Sequence, residues 1–134
     1  MLNKYRQFAV GAFLAIFAQI APVSADPVSG LRLLMIEQAG CAYCVAFNRD
    51  IAPIYAKTEH GAAAPLFHVD LRKGMPEGIT LASRPFVTPT FILIDPDGQE
   101  LSRLTGFPGE DFFWPFVAEM IADAQSTLGA PALN

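Results

Sequence analysis

The sequence predicts an α/β fold in which a βαβ unit is followed by a β-hairpin and a closing C-terminal helix, giving a central mixed four-stranded sheet flanked by helices. Three observations predict it. A continuous apolar run, Leu33, Leu34, Met35 and Ile36, leads into residues that are apolar at helical spacing and then into a second strand-like stretch, "APLFHVDL", at 64–71. The turn-forming "DPDG" at 95–98 separates two further strand patterns. From Phe112 onward, apolar pairs repeat every four residues and so lie along one helical stripe.

Taken in order, the chain opens with Lys4 and Arg6, an apolar run over 8–20, and then Val23, Ser24 and Ala25, with small residues at the −3 and −1 positions of a cleavage site. This is the order of a secretory signal peptide cut after Ala25. The run of about 13 residues falls short of the roughly 20 that span a bilayer, which disfavours an uncleaved anchor. Residues 26–134 are then read as one domain, since a chain of 134 residues that is 52% apolar can bury one core. Cleavage removes two of nine basic residues and none of thirteen acidic ones, so the mature chain is acidic. No nucleic-acid partner is expected, because phosphate binding needs clustered Lys and Arg. No other stretch is apolar enough to cross a membrane, so the mature protein is expected to be soluble outside the cytoplasm.

After a short leader, "DPVSG", the unbroken apolar centre of "LRLLMIEQ" at 31–38 suits a strand covered on both faces. A helix runs on from Cys44, carrying Val45, Phe47, Ile51, Ile54 and Tyr55, with a break near residue 50 imposed by Pro53 and a stop at the glycine of "EHG", 59–61. The stretch 64–71 alternates and reads as a strand parallel to the first. Residues 72–87 are rich in Gly, Pro and charge and hold at most a short helix around 77–83. "TFILID" and "QELSRLTG" flank the Asp-Gly turn as a hairpin. In the last helix Phe112, Phe113, Phe116, Val117, Met120, Ile121 and Ala124 form the core-facing stripe, and Pro115 places its regular start near Trp114.

The only two cysteines, Cys41 and Cys44, stand between the first strand and the first helix as "CAYC". This order of elements resembles the thioredoxin fold over nearly the whole mature chain, from about residue 31 to 121. A second local match is "VTPTF", in which Pro89 precedes an apolar strand as the cis-proline of thioredoxin-like proteins does. Within that family the chain is similar to small exported proteins of the SoxS type, associated with periplasmic sulfur oxidation, through "CAYC" with "IAPIYAKTEHG" after it, then "TPTFILIDPDGQE" and "GFPGEDFFW". The resemblance implies a periplasmic thiol:disulfide oxidoreductase that works through the cysteine pair with no cofactor. It differs from cytosolic thioredoxin in having Gly40 rather than Trp before the first cysteine, Ala42 and Tyr43 rather than Gly-Pro between the two, and Met35 at the position of the buried acid. A different redox potential is therefore expected. Glu37 could substitute for the missing acid, although an exposed strand-end glutamate is the favoured reading.

Thiol–disulfide exchange needs a reachable thiolate. If the helix starts at the motif, Cys41 lies at its N-terminus, where free backbone N–H groups and the helix dipole stabilise negative charge, which makes Cys41 the nucleophile. Cys44, about one turn further in and better shielded, is the resolving cysteine. Ala42 and Tyr43 are expected to tune the potential and shape client contact, with a plain solvent-exposed turn tyrosine as the equal alternative for Tyr43. By the resemblance, Thr88 offers its backbone to the client and a cis Thr88-Pro89 bond lies beside the sulfurs. Phe107 and Pro108 are expected to pack the hairpin end, with the rim of the site as the alternative.

Three other readings compete. A structural disulfide would close so short a loop that it would stabilise little. A metal site could use Cys41, Cys44, His60 and His68, but the histidine spacing is not that of common zinc fingers and no metal ligands are assigned. A binding module could use the same fold without redox chemistry. Among the redox readings, a reductase is favoured by the small size, by the lack of a dimerisation domain such as isomerases use, and by the resemblance, and a monomer is expected. Its client would be an exported protein with an oxidised cysteine, one candidate being a sulfur-carrier protein. An exported reductant must be recharged, which implies a membrane electron donor of the DsbD/CcdA type.

Overall fold

The computed structural model of the chain describes residues 30–129; the signal-peptide reading of 1–25 and its cleavage after Ala25 lie outside them. Four strands form one mixed sheet: β1 (Arg32–Glu37), β2 (Leu66–Asp70), β3 (Thr90–Ile94) and β4 (Glu100–Thr105), in the spatial order β2-β1-β3-β4. β1 is central. It pairs parallel with β2, Met35 opposite His68, and antiparallel with β3, Ile36 opposite Thr90. β3 and β4 form the expected hairpin, with a register shift at Leu93 and Ile94.

Both faces of β1 are covered, as its unbroken apolar run predicts, but by different kinds of structure. On one face Leu33, Met35, Phe91 and Leu93 meet helices α1 (Ala42–Asp50), α2 (Ala52–Tyr55) and α4 (Glu110–Gly129). Three rings join these elements: Phe47 of α1 lies 4.7 Å from Phe91 of β3 and 5.0 Å from Phe113 of α4, centroid to centroid. On the other face Leu34, Ile36, Val69, Ile92 and Ile94 are covered by Leu71, Met75, Ile79 and Leu81. That segment contains no helix; the short one expected around 77–83 is replaced by a single parallel bridge between Thr80 and Gln99. The reason is local, because Gly74, Pro76 and Gly78 interrupt any helical run and Gly74 and Gly78 take positive φ.

The segment is held to the sheet edge by polar contacts. Thr80 exchanges backbone bonds with Gly98 and Glu100, and Glu100 accepts from the Ala82 N–H at 2.8 Å. Arg103 forks onto Glu100 with two bonds of 2.6 Å and donates a third, at 2.9 Å, to the Ser83 carbonyl. The Glu100 side chain is only 6% exposed. Burial alone would raise its carboxyl, yet the Arg103 guanidinium and the Ala82 N–H together hold it below the ordinary value of 4.5.

The helical connection breaks at Ile51 as Pro53 demands. It does not end at Gly61, however. Thr58 caps a further short helix, α3 (Glu59–Ala63), by accepting the Gly61 N–H at 3.1 Å, and the chain runs through the glycine. Gly61 is required by close approach rather than by helix termination: a Cβ there would run into the Tyr55 carbonyl, a backbone group that cannot swing aside. The start of α4 also differs from the expectation. It begins at Glu110, with the Gly109 carbonyl accepting from Phe113 at 2.9 Å, and Pro115 sits inside it. Pro115 deprives the Asp111 carbonyl of its partner, but both residues are exposed, so water can satisfy that group. The buried stripe is Phe113, Val117, Met120, Ile121 and Ala124, whereas Phe112 and Phe116 face outward.

Gly61→Ala should lower the unfolding free energy by about 1–3 kcal/mol through overpacking, measurable by urea denaturation. Glu100→Gln should cost about 1–3 kcal/mol at neutral pH. Because the Glu100 carboxyl is depressed, its contribution is present above 4.5 and is lost as pH falls through the folded-state titration. The gap between variant and wild type should therefore close in acid, and a gap independent of pH would contradict the assignment.

Candidate active site

β1 ends at Glu37, and the chain turns through Gln38, Ala39 and Gly40. Gly40 has φ of +85° with open space where a Cβ would be, so the backbone conformation and not crowding selects glycine. The turn delivers Cys41 as the N-cap of α1, in extended conformation, with its Sγ accepting the Cys44 N–H at 3.1 Å. Cys41 and Cys44 are joined by a disulfide with Cα atoms 5.2 Å apart. Their environments differ. Cys44 is 3% exposed within the helical core, while Cys41 is half-buried at its margin. Between them Ala42 and Tyr43 project outward, Tyr43 being 66% exposed.

The second strand of the site arrives by register. Ile36 lies opposite Thr90, so Pro89, the residue before β3, stands beside the end of β1 from which the turn to Cys41 departs. The Thr88-Pro89 peptide is cis. Pro89 is buried and Thr88 half-buried. The Pro89 carbonyl accepts the Gly106 N–H at 2.8 Å, and the Thr90 hydroxyl donates to the Val87 carbonyl at 2.8 Å, so this loop is tied down on both sides of the proline. Phe107 packs its edge on Phe47 at 5.5 Å and joins the same core margin as Cys41.

One cluster was not legible from the sequence. Glu37 is not a free strand-end carboxylate: its Oε2 accepts from Asn48 Nδ2 at 2.8 Å, and its Oε1 lies 3.2 Å from His68 Nδ1. Met35, at the position of the acid buried in thioredoxin, is fully buried itself. The available signal for Asn48 was its spacing, four residues after Cys44 and so on the same side of α1. The Asn48 Oδ1 is buried without a partner among the described residues. The histidines are not brought together with the cysteines: His60 lies against Trp114, 6.4 Å between rings, and His68 faces Glu37. Among the described residues no three His, Cys, Asp or Glu side chains converge as metal ligands.

Comparison with known proteins fits this geometry. No protein-family model matches the chain, and no curated protein sequence does. The crystal structure of the periplasmic thioredoxin SoxS from Paracoccus pantotrophus, in its reduced form, is similar at 48% identity and a TM-score of 0.68, covering 70% of this chain and 98% of that one. A thioredoxin from Malassezia sympodialis matches at 13% identity and a TM-score of 0.50, covering 71% and 80%, and is similar in fold alone.

Two substitutions separate packing from polar support at this site. Phe47→Ala should cost about 3–5 kcal/mol, because it empties the contact between α1 and the sheet. Asn48→Ala removes a bond to Glu37 and should cost about 1–3 kcal/mol. Equal losses in denaturant unfolding would show that the polar cluster holds α1 as strongly as the aromatic one.

Proposed function

This chain belongs to the thioredoxin family and is a thiol:disulfide oxidoreductase, and from that premise we propose that it is a periplasmic reductase of exported client proteins, exported by a signal peptide cut after Ala25. The observation that carries the reading is the asymmetry of the pair, with Cys41 reachable at a helix N-terminus and Cys44 shielded behind it. Similarity to a periplasmic thioredoxin supports the location, and no helix among the described residues is long and apolar enough to cross a membrane.

In the proposed cycle the Cys41 thiolate attacks one sulfur of a client disulfide, and the other client sulfur leaves as a thiolate. The resulting mixed disulfide joins the client to Cys41. Cys44 then loses its proton and attacks the Cys41 sulfur, which releases the second client thiolate and forms the Cys41–Cys44 disulfide. Two electrons pass to the client, and the oxidised pair is the product state. The Cys44 N–H aimed at the Cys41 Sγ favours the thiolate of the reduced enzyme. Thr88, ahead of Pro89, offers its backbone to the bound client, and Ala42 and Tyr43 supply the exposed surface beside the attacking sulfur. A membrane dithiol donor of the DsbD/CcdA type restores the reduced pair. The client is an exported protein with an oxidised cysteine, a sulfur-carrier protein being one candidate.

Cys41→Ser should abolish reduction of insulin disulfides, whereas Cys44→Ser should retain the first attack and accumulate a mixed disulfide on Cys41, seen as a mass increase that dithiothreitol removes. Retention of turnover by Cys41→Ser would overturn the reading.

A further inference from the structure

Two adjoining cavities, of about 450 and 490 Å³, share Leu71, Arg84 and Pro85 and form one groove along the segment that leads to Pro89. Its walls carry Arg72, Lys73 and Arg84, all exposed, and no Asp or Glu lines either cavity. The ion pairs among the described residues are Arg49 with Asp50, His68 with Glu37 and Arg103 with Glu100, so these three cations have no carboxylate partner there. Of the five Lys and Arg side chains among the described residues that join no ion pair, Arg32, Lys57, Arg72, Lys73 and Arg84, three line this groove. The floor is apolar, formed by Leu71, Met75, Ile79 and Leu81, which rest on the second core cluster. Phe86 stands 88% exposed at one end.

The groove is built rather than incidental. The Glu100–Arg103 clasp fixes Ala82 and Ser83, and Pro85 is buried, so the wall bearing Arg84 is anchored at both ends. Arg84 precedes Thr88 by four residues, which limits the gap to about 14 Å even for an extended chain. A protein whose disulfide reaches Cys41 beside Thr88 and Pro89 can therefore extend neighbouring residues to the Arg84 end of the groove.

We propose that this groove receives an acidic, partly apolar segment flanking the disulfide of the client protein. The inference rests on the reductase reading. Charge complementarity selects the acidic partner, and the apolar floor with exposed Phe86 selects a peptide over a small inorganic anion, which would leave that surface wet. Opposite charge speeds encounter and sets the register of the segment while the sulfur chemistry stays with the cysteines.

The test uses three synthetic peptides with one intramolecular disulfide each, identical except for acidic, neutral or basic residues next to the cysteines. The wild-type protein should reduce the acidic peptide with kcat/KM about tenfold or more above the basic one, and added salt should shrink that ratio. The combined variant Arg72→Glu, Lys73→Glu, Arg84→Glu should invert the ratio. No preference in the wild type, or a preference unchanged in the variant, overturns the groove. Failure to reduce even the neutral peptide would instead strike the reductase reading. In that event, binding of the acidic peptide with its cysteines replaced by serine, measured by fluorescence anisotropy, decides the groove alone: tighter binding to wild type than to the variant supports it, and equal binding overturns it.

Discussion

Strand β1 lies between β2 and β3 with Leu33, Leu34, Met35 and Ile36 shielded on both faces, so its position along the sheet is held by two ladders and two layers of core at once. A slip of one residue would exchange the two faces and misplace every one of these side chains. The end of β1 is therefore a fixed point, and the turn and helix beyond it inherit that precision. Gly40 turns the chain, Cys41 caps α1, and the rings of Phe47, Phe91 and Phe113 hold that helix against the sheet. The same register brings Pro89 alongside, because it immediately precedes the residue paired with Ile36.

The electrostatics of the pair derive from this placement. A helix N-terminus presents unpaired N–H groups, and here one of them, from Cys44, is aimed at the Cys41 sulfur. Cys44, one turn along, is carried into the core by the same helix geometry. The buried acid of thioredoxin has no counterpart, since Met35 fills that place with apolar volume. The nearest carboxylate on β1, Glu37, is instead engaged by Asn48 and His68 at the strand end. Polar support for the site thus stands at the margin of the core rather than inside it.

The two faces of the sheet show what kinds of information a sequence carries. The helical face was legible in outline because periodic apolar residues and the Pro53 break are local signals. Its errors were local as well: Gly61 reads as a helix stop when only adjacency is visible, but its absence of a side chain is required by the Tyr55 carbonyl. Pro115 reads as a helix start until the structure places it inside α4, at a stretch where both Pro115 and Asp111 are exposed. The opposite face was less legible, because residues 71–85 have no period and are positioned by Glu100 and Arg103 from a different strand.

Composition, periodicity and the spacing of Cys41 and Cys44 by themselves determined the order of elements, the strand covered on both sides and the location of the reactive pair at a strand-to-helix turn. These are properties of short stretches, set by backbone preference and by which side chains avoid water. Tertiary structure alone decided that Glu37 meets Asn48 and His68, that His60 and His68 part company, and that Arg72, Lys73 and Arg84 share one groove. Contacts of that kind depend on which face and edge each element presents after the sheet is assembled. That information lies in strand register and in side-chain bonds between distant residues, not in any one stretch of the chain.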